Sequence, residues 1–106
     1  MFTKTVTNFD IYRFVDAKSN KIWGTFQTED GAWVAFWAGW KMQASFKNHG
    51  SRWIGETSAR SAREGKIRKG YKVADLSQVH SEWPQFEDMM LERFTWFKLQ
   101  QLAAQV

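Results

Sequence analysis

Positively charged side chains are concentrated in one segment of the chain, residues 51–72, whose sequence is SRWIGETSARSAREGKIRKGYK. The segment holds seven lysines and arginines against two glutamates, a local excess of five positive charges. Cations grouped in this way can bind a polyanion, because each phosphate they neutralise releases condensed counterions. A solvated helix face has the same composition and is the alternative interpretation. The net charge of +4 and the pI near 9.6 favour a polyanionic partner more weakly.

Aromatic side chains are the second group with binding chemistry. Trp37, Trp40 and Trp53 flank Gly39 and the polar stretch 48–51, which makes them candidates for exposure. An exposed indole can stack on a nucleic-acid base, with about 1–3 kcal/mol for each stacked base. The alternative is that one or more of them packs beneath a C-terminal helix. The remaining large aromatics of the stretch 20–40 are predicted to form the core: Trp23, Phe26, Trp33 and Phe36.

Signals for catalysis are weak. His49 and His80 each stand in a predicted loop without a second ligand at metal-binding spacing. Glu87 and Asp88 are adjacent on a predicted helix, so their side chains do not face each other as an acid–base pair. The chain has no cysteine, and no glycine-rich phosphate loop follows a strand. We therefore predict no catalytic residue, no metal site and no cofactor.

The stretch 20–47 must position the aromatic side chains. Asp30-Gly31 stands between two runs rich in aromatic and β-branched residues, a strong hairpin signal because glycine supplies the positive φ of a tight turn. Residues 10–15 are predicted to be a first strand, and residues 42–47 a fourth strand or a continuation of the third. Both faces of the hairpin carry apolar bulk, so one face enters a core and the other must be covered by a helix, a partner or a ligand.

Two helices are predicted after the sheet. Thr57 or Ser58 caps a helix that ends near Lys69, with Gly70 as its stop signal. After an extended segment, Ser81 caps a long helix to about residue 104. The apolar arc of this second helix is wider than one sheet face requires, which predicts deep burial or an interface with a second copy or another protein. The predicted interface residues are Phe86, Met89, Met90, Phe94, Trp96 and Phe97.

The chain of 106 residues has room for one domain. The predicted fold class is α+β: a twisted antiparallel sheet of about four strands with a crossing helix, plus a long C-terminal helix. Residues 1–8 are expected to be a lead-in, residues 9–75 the domain, and residues 76–106 a helical extension. No apolar run reaches the roughly 20 residues of a membrane span, and we expect no membrane association and a cytoplasmic location.

Four short sequences in this order resemble a WGR-type domain, including the small free-standing WGR-like proteins of phage and bacterial genomes. They are NKIWG at 20–24, AFW at 35–37, QASFK at 43–47 and KIRKGY at 66–71. The resemblance covers residues 9–73. It implies a twisted antiparallel sheet with a helix across one face, and binding of nucleic acid or protein without catalysis, most familiarly at DNA breaks within poly(ADP-ribose) polymerases.

The W-G-R motif itself departs from the family pattern. Trp37 matches the motif tryptophan, but Ala38 and Gly39 stand where glycine and arginine are expected. The missing arginine removes a planar group that binds phosphate in a bidentate manner. The C-terminal helix lies outside the family pattern.

The leading hypothesis is a non-enzymatic WGR-like module that binds DNA or RNA. Its predicted site residues are Lys41, Arg52, Arg60, Arg63, Lys66, Arg68 and Lys69, with Trp37, Trp40 and Trp53 as stacking surfaces. The alternative hypothesis is a phage-type interaction factor that binds and inhibits a host nuclease or defence complex, which the broken motif and the apolar C-terminal helix motivate. A homodimer through that helix is compatible with either hypothesis.

Overall fold

A computed structural model describes residues 6–91 and confirms the predicted α+β class. One antiparallel sheet has five strands in the order β4-β3-β2-β1-β5, one more than the four expected. The strands are β1 (Val6–Val15), β2 (Asn20–Thr28), β3 (Trp33–Gly39), β4 (Ser45–Gly50) and β5 (Lys72–Val73). The helices within the described residues are α1 (Arg52–Arg68), α2 (Leu76–Glu82) and α3 (Gln85–Leu91).

The central hairpin of β2 and β3 forms as the Asp-Gly pair predicts. Gly31 adopts a φ of 89°, and its N–H donates to the carbonyl of Thr28 over 2.9 Å. Thr28 in turn donates its N–H to the carbonyl of Ala32, which closes the turn. The register that follows places Trp23 opposite Trp37 across the two strands. The turn chemistry therefore fixes which aromatic side chains share a face.

Both faces of the sheet are covered by helices of the same chain. One face, which we call the α2–α3 face, carries Ile22, Phe26 and Phe36 and packs with the buried residues of α2 and α3. The opposite face, the α1 face, carries a smaller cluster to which Ala62 of α1 packs. The buried members of that smaller cluster are Tyr12, Trp23, Ala35 and Tyr71. A helix therefore supplies the second cover that the apolar hairpin requires.

Helix α1 begins earlier than predicted. Ser51 occupies its N-cap position in an extended conformation, so Thr57 and Ser58 lie inside the helix and do not cap it. Gly55 and Ala59 are buried against the sheet, where their small size lets the helix approach closely. The predicted stop is confirmed, since the helix ends at Arg68 and Gly70 follows with a φ of 105°.

Ser81 does not cap a long C-terminal helix as predicted, because it lies inside α2; the predicted course of that helix beyond residue 91 lies outside the described residues. A first short helix, α2, is capped by Asp75, whose carboxylate accepts from the N–H of Ser77 at 2.9 Å and of Gln78 at 3.3 Å. It ends before Trp83, which precedes Pro84 and leaves the helical conformation with a ψ of 66°. A residue before proline is sterically disfavoured from the helical region, so the proline separates α2 from α3.

The strand boundaries also differ from those predicted. Residues 6–8, expected in a lead-in, belong to β1, which continues past an irregularity between Thr7 and Asp10. Strand β4 begins at Ser45 and extends through the predicted loop to Gly50. No helix within residues 6–91 is long and apolar enough to cross a membrane.

Candidate nucleic-acid interface

A cleft of about 400 Å³ opens where the β1–β2 turn, the end of β3 and the last turn of α1 meet. Lys18 and Lys21 line it from the turn and the start of β2, and Trp37 lines it from β3. Lys66 of α1 and Tyr71, just after that helix, complete the wall. We call this site the lysine–tryptophan cleft. It brings cationic and aromatic side chains from separate elements to one place.

The strand register explains why Lys21 and Trp37 share this cleft. Lys21 lies opposite Gly39 and Trp23 opposite Trp37, so Lys21 and Trp37 are diagonal neighbours on the α1 face. Gly39 lines the cleft without a side chain of its own. Helix α1 crosses the same face and delivers Lys66 from its last turn.

Lysines 21 and 66 are held against aromatic rings. The Nζ of Lys66 lies 5.4 Å from the ring centroid of Tyr71, and the Nζ of Lys21 lies 5.5 Å from that of Phe14. Neither lysine makes an ion pair with another residue of the described part of the chain. The aromatic faces position both ammonium groups without neutralising them.

The electrostatic environment of Lys66 is repulsive. Burial lowers the pKa of Lys66 below its usual 10.5, and the positive charges of Lys69 and Lys21 lower it further. A cation in such surroundings gains from any anion that enters, because the anion supplies the missing counter-charge. The cleft is therefore suited to a phosphate or a carboxylate.

Trp37 borders the cationic side chains and is 42% exposed. Its cross-strand neighbour Trp23 is buried, with 4% exposure. The buried part of the Trp37 side chain holds the indole at the wall of the cleft, and the exposed part is available to a planar ligand.

Arg63 does not join the surface site as predicted. Its Nη2 atom lies 3.1 Å from the carboxylate of Asp10 and donates to the hydroxyl of Thr25 over 3.1 Å. The guanidinium therefore forms intramolecular contacts that join α1 to the sheet. The charge of Arg63 and its position in the sequence do not show that its side chain points towards the sheet.

Trp40 is partly buried. Its ring centroid lies 5.2 Å from that of Trp83, which is buried at the end of α2. On the same ring the guanidinium carbon of Arg13 lies 3.9 Å from the centroid. Trp40 therefore packs against the core on the α2–α3 face, in agreement with the alternative interpretation of these tryptophans.

The exposed stripe of α1 alternates in charge. Five surface residues at successive four-residue steps carry positive, negative, positive, negative and positive charge: Arg52, Glu56, Arg60, Glu64 and Arg68. Residues four apart are neighbours on a helix surface, so each glutamate offsets an arginine beside it. This stripe has the character of a solvated helix face, and it does not provide a continuous track for a polyanion.

Trp53 is 72% exposed but stands apart from the cleft. It lies on the first turn of α1, whereas Lys66 lies on the last. At 1.5 Å per residue the two are about 20 Å apart along the helix axis. Lys41 is exposed in the turn between β3 and β4 and does not line the cleft, and Lys69 is exposed beside Lys66.

The predicted interface residues of the C-terminal region divide into three groups. Phe86 and Met90 are fully buried inside the chain's own core. Met89 packs at the edge of that core, where its sulfur accepts the N–H of Ala44 over 3.2 Å. The others, Phe94, Trp96 and Phe97, lie outside the described residues.

Lys18 and Lys21 were missed as site residues. The signal for Lys21 was present in the hairpin, because a register centred on Asp30-Gly31 sets it near Gly39 and Trp37. Lys18 belongs to the turn that leads into this strand. Only the docking of α1 shows that both lysines line the same cleft as Lys66.

Comparison with protein-family models, with curated proteins and with solved structures found no match for this chain. The function proposed below therefore depends on the geometry of the cleft and on the resemblance in residues 9–73.

Proposed function

We propose that this chain is a non-enzymatic, WGR-like module that binds nucleic acid through the lysine–tryptophan cleft and the adjoining end of α1. One observation carries the proposal. Lys21 and Lys66 line a cleft to which residues 6–91 contribute no carboxylate, Lys69 lies close to Lys66, and Trp37 is exposed in the same cleft.

These residue types match the two parts of a nucleic acid. Lysine ammonium groups act as point charges for phosphate, and an indole offers a surface for a base. Lysine lacks the planar fork of the arginine that the W-G-R motif would supply, so it does not fix the orientation of the phosphate. Contacts of this kind position a ligand without reading its sequence. The proposal therefore specifies salt-sensitive binding with little sequence preference.

The test is a fluorescence anisotropy titration with labelled single-stranded, duplex and nicked DNA and with RNA. We expect dissociation constants below about 10 µM at about 50 mM salt, with affinity falling steeply towards about 200 mM. Three phosphate contacts predict a log–log salt slope of about −2 to −3. Absence of salt-sensitive binding to every one of these ligands would contradict the proposal.

Matched lysine and arginine variants locate the binding surface. Lys66→Gln is expected to weaken binding several-fold and to reduce the salt slope by about 0.7–0.9, because one phosphate contact is lost. Arg60 lies on the same helix, in the charge-alternating stripe. Arg60→Gln is therefore expected to leave the log–log salt slope unchanged. Equal effects of the two variants would indicate diffuse attraction by net charge.

The interaction-factor hypothesis is supported by a different observation. Trp53 and the adjacent Ile54 are 72% and 57% exposed on the first turn of α1. Exposed tryptophans are enriched among residues that anchor protein interfaces. A pull-down from nuclease-treated lysate, with wild-type protein and with Trp53→Ser, tests this second candidate. A protein retained only by the wild type supports it, and identical recovery by both counts against it.

A further inference from the structure

We propose that the lysine–tryptophan cleft receives one unpaired nucleotide, with its base against Trp37 and its phosphate between Lys21 and Lys66. This inference rests on the proposed nucleic-acid-binding function and adds the ligand class, which is single-stranded nucleic acid.

The dimensions of the cleft favour one nucleotide. Its volume of about 400 Å³ lies towards the lower end of the roughly 300–1,000 Å³ found for sites that hold small molecules. Trp37 stands on one wall and Lys66 on another, so a bound group meets an aromatic surface and a cation together. A base inside a duplex is stacked and paired, and it presents only its edges to a protein. A base of a single strand can turn out of the strand and lie against an indole.

The remaining surface of α1 disfavours a duplex as the ligand. A duplex is bound through many phosphates spread along two strands. On α1 the exposed stripe from Arg52 to Arg68 is interrupted by Glu56 and Glu64, and Arg63 is paired with Asp10. The lysines near Lys66, by contrast, lie close enough together to lower its pKa, and no carboxylate of residues 6–91 lines the cleft beside them. This concentration matches a short stretch of backbone.

The polar part of the wall comes from the β1–β2 turn. Ser19 and Asn20 line the cleft beside Lys18 and Lys21. Hydroxyl and amide groups at this position can donate to a phosphate or a sugar without selecting a base. The cleft thus combines backbone contacts with stacking, which every base can provide.

The test compares three labelled ligands of about eight nucleotides: a thymidine strand, the same strand with abasic sites, and a blunt hairpin duplex with an equal number of phosphates. At one salt concentration we expect the thymidine strand to bind at least about five-fold more tightly than the abasic strand, which lacks bases to stack. We expect a similar preference over the duplex. Wild-type protein alone suffices for this comparison.

Variants then assign the preference to the cleft. Trp37→Ala is expected to reduce affinity for the thymidine strand by about five-fold or more and to leave affinity for the abasic strand within about two-fold. Trp37→Phe keeps an aromatic surface and is expected to retain most of the preference. Trp53→Ala removes an exposed tryptophan outside the cleft and is expected to change neither affinity.

The outcomes separate this inference from the function on which it rests. Equal, salt-sensitive binding of all three ligands would overturn the single-nucleotide site and leave nucleic-acid binding intact. A preference for the thymidine strand that persists in Trp37→Ala would also overturn it, because the base would then lie elsewhere. Failure of all three ligands to bind would overturn this inference, and failure also of the nicked DNA and the RNA would contradict the proposed function itself.

Discussion

The guanidinium of Arg63 lies 3.1 Å from the carboxylate of Asp10 and joins α1 to the first strand of the sheet. The same Nη2 atom donates to the hydroxyl of Thr25, which is fully buried. Two elements distant in sequence are thus held together by one side chain. The lysine–tryptophan cleft depends on this docking, since Lys66 follows Arg63 by a single turn.

Removal of the Arg63 side chain is expected to destabilise the fold. Arg63→Ala leaves the Thr25 hydroxyl without its partner and should lower the free energy of unfolding by about 1–2 kcal/mol. The ion pair adds little, because the carboxylate of Asp10 is 46% exposed and solvent screens it. Urea denaturation measures the change, and Arg60→Ala on the exposed stripe should stay within about 0.5 kcal/mol. Equal losses in the two variants would contradict the bridging role of Arg63.

The titration of Tyr12 gives a second readout of the same contact. Burial raises the pKa of Tyr12, the negative charge of Asp10 raises it further, and the positive charge of Arg63 opposes both. Arg63→Ala should therefore shift the ionisation of Tyr12 to higher pH. Absorbance of the phenolate during an alkaline titration measures this shift. No shift relative to wild type would place Arg63 away from Tyr12.

Two glycines of α1 are expected to respond in opposite ways to substitution by alanine. A Cβ atom at Gly55 would overlap the carbonyl oxygen of Gly50 and lie 3.3 Å from Cδ1 of Trp33. Because the overlap is with backbone, a rotamer change cannot relieve it, and Gly55→Ala should cost about 3 kcal/mol or more. At Gly65 the nearest heavy atom that a Cβ would meet is Nη2 of Arg68, 4.0 Å away. Gly65→Ala should stabilise the helix by about 0.5–1 kcal/mol.

Opposite signs in these two variants would show that the backbone of α1 approaches β4 closely at Gly55 and has open space at Gly65. Denaturant midpoints with unchanged slopes measure the two effects. If Gly55→Ala proves as stable as wild type, the close approach of α1 to β4 is absent.

Local chemistry made the hairpin and the end of α1 predictable. Gly31 and Gly70 each adopt a positive φ, and each signal acts within a few residues. The site was predictable only in part, because Arg63 and Lys66 have the same charge and lie three residues apart, yet one turns to the sheet and the other to the cleft. Register and helix docking decide this difference, and both depend on contacts distant in sequence. The C-terminal break at Pro84 was missed because proline is also tolerated in the first turn of a helix.

His49 on β4 makes the stability depend on pH. Burial lowers the pKa of His49 below 6.5, and the charge of Lys47 lowers it further. Between that lowered value and 6.5 the unfolded chain binds more protons than the folded chain, so the free energy of unfolding falls as the pH falls through this interval. We expect His49→Gln to remove part of this decline and to have little effect above about pH 7.5.

Urea denaturation at several pH values between about 5 and 7.5 measures the His49 contribution, with most carboxylates still ionised. The difference between wild type and His49→Gln isolates it from His80, whose Nδ1 lies 3.6 Å from Glu87. If the free energies of unfolding of the two proteins changed in parallel with pH, the pKa of His49 would be the same in the folded and the unfolded chain.

Substitution of Met90 distinguishes a core residue from an interface residue. Met90 and Phe86 are fully buried with the sheet residues of the α2–α3 face. Met90→Glu would bury an unpaired carboxylate, and Phe86→Ala should cost about 3–5 kcal/mol through lost burial and a cavity. Losses of this size approach the total stability of a small domain, about 5–15 kcal/mol. We therefore expect Met90→Glu to unfold the chain, as measured by circular dichroism and thermal denaturation.

The dimer hypothesis predicts a different result for the same variant. If the side chain of Met90 lay between two copies, Met90→Glu would give a folded monomer in light scattering, with its circular dichroism unchanged. Gln85→Glu is the control. Gln85 is exposed on the same helix, so this substitution adds the same negative charge without burying it. A folded Gln85→Glu with an unfolded Met90→Glu assigns α3 to the core of the monomer, since only burial separates the two substitutions.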